Sequence, residues 1–568
     1  MSGGRWHGSR DQNFEEIRHK AGENALPCAD PTDDREATNS LLPGKQARAR
    51  RIQFAPLPTR SRAPHRVPEV PLSDTSSNEL ERNNDPLAKA YDDVAYTSYP
   101  DAAGHPDRLA TIATLLGLDV APVATCRVLE LGCGDGTNLV PMAATLPQAI
   151  FEGFDFAARP IARAQRMARE LGLANIRLTQ LDLREVPANL GSFDFIIAHG
   201  LYSWIPAEVR VHVMPLIARH LAPKGVALVS YNTLPGCHMR QVVWDMLRYH
   251  TREIAGKAAK LTAARSLLAL VAAPVAGENL GQEALRAEVR NVSESPDSAL
   301  AHDDMSEPNN PVYFHEFVAD AARAGLTFLA ETRLNTMMGT GLAPQARQAL
   351  GTMDRLTREQ YLDFIHFRRY RESLHCHDNA LSRFVVQPPR ALGLHALPSM
   401  SLRRADASGT PRPDTDADAA AIKKFLLSRW PASIPVAELV EWRARNLPAP
   451  AAGERPRPTE QLLTELYVAG LVDLCTLPGI AAAKAGDRPE AFAAARWINR
   501  EHDVMPNLYH EALRLQEPSG RRLLGLLDGT RTREDLLAAI GAPLAGPDGR
   551  AQLEKALDVL AKKALLVA

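Results

Sequence analysis

Val128-Leu129-Glu130-Leu131-Gly132-Cys133-Gly134-Asp135-Gly136-Thr137-Asn138 decides the fold. A short apolar run over 127–131 ends in three glycines spaced GxGxG, and a helical pattern over 138–146 follows. Strand, glycine loop and helix in that order form the place where an open α/β sheet binds ligands at the carboxyl ends of its strands. Working outward, the pattern predicts strands over 150–155, 176–180, 193–198 and 226–230, with helices over 160–171 and 211–221. Strands alternating with helices at this spacing are βαβ units, so the fold class is α/β with a parallel, Rossmann-like sheet.

The loop itself discriminates between ligands. A dinucleotide fingerprint requires GxGxxG, and the residue in the place of its third glycine is Thr137. Glu130 at the strand end and Asp135 in the loop would repel a pyrophosphate and suit a cationic ligand with an amino group. S-adenosylmethionine, with its sulfonium and α-ammonium, is such a ligand. Asp155 ends the second strand, where a carboxylate can accept both hydroxyls of a ribose. Asp182 follows the third strand, where it can meet an adenine amino group.

The segments VLELGCGDGTNLVPMA, FDFIIAHGLYSWIP, VALVSYNTLPGCHMR and NPVYFHEF resemble the class I methyltransferases that carry a methyltransferase regulatory domain. Among these are the rickettsial-type protein-lysine methyltransferases, which modify outer-membrane proteins. The resemblance covers about 91–377 and, more loosely, the C-terminal third. It implies that Glu130, Gly132, Gly134 and Gly136 surround the methionine moiety of S-adenosylmethionine, that Asp155 holds the ribose and Asp182 the adenine. The segment 198–204 then lines the methyl-transfer mouth. Cys237 stands where many relatives carry Trp after Pro-Gly.

At the mouth, His199 directly follows the fourth strand and is a candidate base. Tyr202, Trp204 and Tyr231 are expected to offer aromatic faces to a lysine side chain and its developing charge. The loop carries no (Asn/Asp)-Pro-Pro-Tyr, which counts against a nucleobase acceptor. His375-Cys376-His377 lacks the further ligands and spacing of a zinc site, so no metal is expected.

Composition bounds the rest. The chain has 568 residues, 66 Lys+Arg against 67 Asp+Glu, and 6 Cys with no CxxC pair. Near-neutral charge excludes a global electrostatic grip on nucleic acid. Scattered cysteines suit a reducing compartment, and the absence of a long apolar run or signal core points to a cytoplasmic protein without a membrane span. Residues 1–85 read as a disordered tail, with seven basic residues and no acid between Lys45 and Arg66. The expected organisation is a methyltransferase core over 86–237 and a helical regulatory region over 238–387 that returns to the sheet. A linker over 388–415 leads to a winged-helix-like unit over 416–476 and a second small helical unit over 488–568. Within the regulatory region a strand is expected over 325–332 and an aromatic-rich helix over 358–374. The partner expected is a protein substrate, with a homodimer also admitted. A small-molecule or peptide-tailoring methyltransferase is the alternative function. A DNA-binding regulator is a third reading, disfavoured by the acidic, packed helix around Glu460 and Glu465.

Overall fold

The computed structural model describes residues 98–568, apart from 278, 307, 410–415, 449–456 and 542–547. The expected disordered tail, with its basic arm, lies outside the described residues.

The strands predicted around the glycine loop form the parallel part of one sheet: β1 (Arg127–Leu131), β2 (Ile150–Asp155), β3 (Ile176–Gln180), β4 (Phe193–Ala198) and β5 (Leu221–Leu234). A two-residue β6 (Val312–Tyr313) pairs with the end of β5. β7 (Leu326–Glu331) and β8 (Tyr370–His377) complete the sheet in the order β3-β2-β1-β4-β5-β8-β7, and β8 runs antiparallel to both neighbours. The strand order reverses at β1, between β2 and β4. That switch opens a crevice at the carboxyl edge, because the loops leaving β1 and β4 part in opposite directions. Apolar side chains cover both faces, as continuous apolar strands require.

From Cys237 to Arg323 the described chain is mostly helical, interrupted by β6. Helices Cys237–Thr251, Lys257–Ala272 and Leu280–Ser293 build a small core of their own on Val243, Leu247, Ala264, Leu268, Val289 and Val292. Leu261, Leu267 and Val271 pack against that core. The segment is tied back to the sheet by Arg369, which donates to both oxygens of Glu288 at 2.8 and 2.6 Å.

Two expectations are corrected. The stretch 358–374 is not one helix: helix Arg355–His366 ends at Phe367, which adopts φ 49°, and β8 begins at Tyr370. The driving force is the sheet. β8 supplies the antiparallel partner that β5 and β7 both lack, and it carries the fully buried Arg371 between Glu331, Glu359 and Asp363. Nor is 388–415 a linker through Ser408. It holds β9 (His395–Pro398), with Ala396 and Leu397 buried, and helix Met400–Ser408. β9 is the central strand of a three-stranded sheet between β10 (Ile434–Pro435) and β11 (Val472–Cys475). Helices Ala417–Arg429, Val436–Asn446 and Thr459–Val468 pack on that sheet around Ile422, Leu439, Leu462 and Leu463.

The last unit contains helix Ala493–Ile498, a hairpin of β12 (Val504–Pro506) and β13 (Ala512–Arg514), and helices Pro518–Leu526, Arg533–Ile540 and Gly549–Lys562. Its apolar residues Ala494, Trp497, Ile498 and Leu557 belong to the same core as Leu109, Met142 and Phe151 of the sheet layer. Among the described residues, no helix is long and apolar enough to cross a membrane.

Candidate active site

The glycine loop lies where the strand order reverses. Gly132, Gly134 and Gly136 all adopt positive φ (71°, 54° and 75°), which lets the chain turn sharply between β1 and helix Leu139–Thr145. They do not face the same surroundings. A Cβ on Gly134 would meet only Ser98 Oγ at 3.5 Å, whereas one on Gly136 would strike Ala164 Cβ at 2.7 Å and Val140 Cγ2 at 2.9 Å. Gly136, expected beside the methionine moiety, is therefore dictated by packing against helix Ala158–Glu170.

Glu130 is 3% exposed. Its Oε1 accepts a 2.7 Å hydrogen bond from Asn138 Nδ2, and its Oε2 has no partner among the described residues. Burial pushes its pKa up to about 8, opposed by the Asn138 bond and reinforced by Asp101, Asp155 and Asp135. A buried carboxyl among three acids, with one oxygen uncommitted, is a place for a cation. This donor set fits the ammonium end of S-adenosylmethionine.

Asp155 stands at the end of β2, as predicted. Its Oδ2 accepts from Gly134 N–H at 2.8 Å and its Oδ1 from Ala157 N–H at 2.9 Å, so it also ties β2 to the loop. Burial raises its pKa, while those amide bonds lower it. Asp182 follows β3, as predicted. It caps the turn Leu183–Glu185, accepting from Arg184 N–H at 2.8 Å, and Arg184 forks onto both of its oxygens. The carboxylate expected to meet an adenine amino group is thus also half of an ion pair.

The mouth is rearranged. His199 follows β4, and its Nδ1 lies 3.3 Å from Asp101 Oδ2. Tyr370 meets the His199 ring edge-on, with centroids 6.5 Å apart. Ligand atoms of Asp101, His199 and Glu372 lie within 4.8 Å of one another. Asp101 also caps the turn Ala102–Gly104, and its N–H donates to Asn138 Oδ1 at 3.0 Å. Glu372 accepts from Thr332 Oγ1 at 3.0 Å, and burial, with Asp101 beside it, pushes its pKa up to about 7. Neither Asp101 nor Glu372 was expected here. Tyr370, Leu374 and Cys376 keep the two-residue period of a strand, and Glu372 is the polar residue that breaks it on the same face.

Tyr202 and Tyr231 do not line the mouth. Each is 1% exposed and packs against Phe317: Tyr231 stacks on it at 3.8 Å, and Tyr202 meets it edge-on at 5.0 Å. Tyr202 Oη donates to Asp320 Oδ2 at 2.9 Å. The reason is the two-residue period of β5: Ser230 and Asn232 share one face of the sheet, and Tyr231 takes the other. Ser230 Oγ accepts from Gly200 N–H at 2.7 Å, and Asn232 Nδ2 donates to Asn309 Oδ1 at 3.1 Å. Trp204 is half-buried in the loop after β4.

Three family models match the chain: a methyltransferase domain over 128–225, a predicted methyltransferase regulatory domain over 296–377, and a PKMT C-terminal winged helix domain over 487–555. The Rickettsia prowazekii protein RP789 is 36% identical over 291 residues, which is 51% of this chain and 53% of RP789. RP028 of the same organism is 31% identical over 41% of this chain and 94% of its own length. The chain thus spans about half of the first relative and nearly all of the second. Among solved structures, PKMT2 from Rickettsia typhi in complex with AdoHcy shares the fold with a TM-score of 0.73, at 24% identity, over 83% of this chain and all of that one.

Proposed function

The chain belongs to the S-adenosylmethionine-dependent methyltransferases that carry a methyltransferase regulatory domain, and on that premise we propose that it methylates lysine side chains of a protein. The observation that carries the acceptor assignment is the convergence of Asp101, His199 and Glu372 at the ends of the strands beside the glycine loop. Asp101 belongs to both halves of the site, because its backbone holds Asn138 and its side chain faces His199. A recess lined by the carboxyl groups of Asp101 and Glu372 beside His199 suits an ammonium acceptor. PKMT2, which shares the fold, supports the protein-lysine reading over a metabolite acceptor.

In this reading Glu130 meets the amino-acid end of the cofactor, the turn through Gly132 and Gly134 lets that end approach the loop closely, and Asp155 takes the ribose. The cofactor supplies an electrophilic methyl group on sulfur. A lysine amine has a pKa near 10.4 and must shed a proton before its lone pair can form the N–CH3 bond as the S–CH3 bond breaks. Asp101, His199 and Glu372 bind the ammonium, align the amine with the methyl group and take up that proton, with Glu372 suited to the exchange by its pKa near 7.

The test is incubation of the protein with methyl-labelled S-adenosylmethionine and separate protein and metabolite fractions, followed by mass spectrometry of the labelled products. Label on lysine Nζ is expected. Label found only in small molecules, or on oxygen, overturns the lysine assignment and leaves the methyltransferase assignment in place.

A further inference from the structure

The hairpin of the C-terminal unit reaches the glycine loop. Between β12 and β13 the chain turns at Asn507–Glu511, and His510 at the tip adopts φ 60°, a backbone conformation few non-glycine residues take. The turn is held from within. Asn507 Oδ1 accepts from Tyr509 N–H and Glu511 N–H, both at 2.9 Å, and Asn507 Nδ2 donates to Glu511 Oε2 at 2.8 Å. Arg403 pairs with Glu511 from outside.

So held, His510 lies 2.9 Å through Nε2 from Asn138 Oδ1. Asn138 Oδ1 already accepts from Asp101 N–H, and its Nδ2 donates to Glu130. These bonds define the orientation of the amide, so His510 Nε2 carries a proton and donates it. Burial, with His105 beside it, holds the ring neutral by pushing its pKa well below the usual value. A second contact joins the same two parts. Arg163 donates to Asp135 O and Thr137 Oγ1 in the loop, both at 3.2 Å, and to Glu501 Oε2 at 2.8 Å. The Arg163 guanidinium also lies over the Trp497 ring, 5.0 Å from its centroid.

We propose that His510 is a positioning residue for the cofactor loop: with Glu501 it braces Asn138 and Asp135, so that the C-terminal unit sets the affinity for S-adenosylmethionine. The proposal rests on the reading of the glycine loop as the cofactor site. Without the His510 donor, Asn138 keeps only its bonds to Asp101 N–H and Glu130, so the amide that fixes the Glu130 carboxyl is held less firmly.

The experiment measures S-adenosylhomocysteine affinity by calorimetry on the full chain, with melting temperatures recorded in the absence of ligand. His510→Leu is expected to weaken binding tenfold or more, and His510→Gln, which keeps a donor, to stay within threefold of the unaltered protein. In an Asn138→Ala background, His510→Leu is expected to add less than twofold. Initial rates should show the His510→Leu loss mainly in KM for S-adenosylmethionine. Glu501→Gln, on the half-exposed arm, is expected to weaken binding about threefold and serves if His510→Leu fails to fold. His510→Leu binding within twofold of the unaltered protein overturns the proposal, as does an undiminished effect in the Asn138→Ala background. If His510→Leu does not fold, unchanged affinity in Glu501→Gln overturns it. Absence of binding in the unaltered protein instead overturns the cofactor reading itself.

Discussion

Glu130 holds a proton that an exposed glutamate would lose. Its pKa stands at about 8 in the folded protein against 4.5 for the free side chain, chiefly because burial penalises the anion. Between those values the folded state binds more protons than the unfolded chain. Ligand-free stability therefore falls as pH rises through that window, by at most about 1.4 kcal/mol per pH unit from this group. A cationic ligand facing Glu130 reverses the balance by favouring the carboxylate. Binding of S-adenosylhomocysteine at pH 7 should then release close to one proton, and affinity should rise with pH up to about 8. Calorimetry in two buffers of different ionisation enthalpy measures the release, and Glu130→Gln should abolish it. No proton exchange in the unaltered protein would mean that the ligand ammonium lies elsewhere.

At the scale of elements, the β7–β8 pair closes the sheet and carries Glu372 of the proposed acceptor site. Its register depends on Arg371, fully buried, which forks onto Asp363, meets Glu331 Oε1 at 2.5 Å and lies over the Phe314 ring at 4.1 Å. Arg368 lies 3.3 Å from Asp363 and 3.8 Å from Glu359, so removing Arg371 leaves chiefly Glu331 charged and unpaired in the core, a loss of about 3–5 kcal/mol. Arg371→Leu should lower the urea unfolding free energy by about that amount, and a change below 1 kcal/mol would show that the acids neutralise by taking up protons. The same element was the hardest to read in advance. Tyr361, Leu362, Phe364 and Ile365 continue into Tyr370 and Leu374 without a glycine or proline between them. The break at Phe367 rests on a left-handed residue with no residue-type signal. β9 leaves no signal in the sequence for a related reason: four residues are too few to show a period, and only pairing with β10 and β11 makes them a strand.

Over the whole molecule, the C-terminal unit is not an appendage to the sheet. Helix Ala493–Ile498 packs into the core of helix Leu139–Thr145, and Trp497 Nε1 donates to Glu170 at 2.9 Å. Ending the chain at residue 486 would expose that core along the helix that follows the glycine loop. The truncated protein should lose cooperative thermal unfolding and bind a hydrophobic dye several-fold more strongly. A sharp transition with unchanged dye binding would show that the two parts fold independently. The helical segment 238–324 contrasts with this, since its first three helices keep a core of their own.

The sequence by itself determined the parallel sheet and the glycine loop at its carboxyl edge, because strand periods, the GxGxG spacing and the positions of Glu130, Asp155 and His199 are local signals. Those signals exist wherever an element must bury one face or turn at a glycine, whatever else surrounds it. Only the tertiary structure decided which side chains face the mouth. The extension of β5 through Leu234 turned Tyr231 into the core, Phe317 closed over Tyr202, and Arg184 paired with Asp182. It also brought Asp101, Glu372 and His510, each far from the glycine loop or the fourth strand along the chain, to the two halves of one site. Sheet register and the packing of distant units set those meetings, and neither leaves a mark on the residues of a single segment.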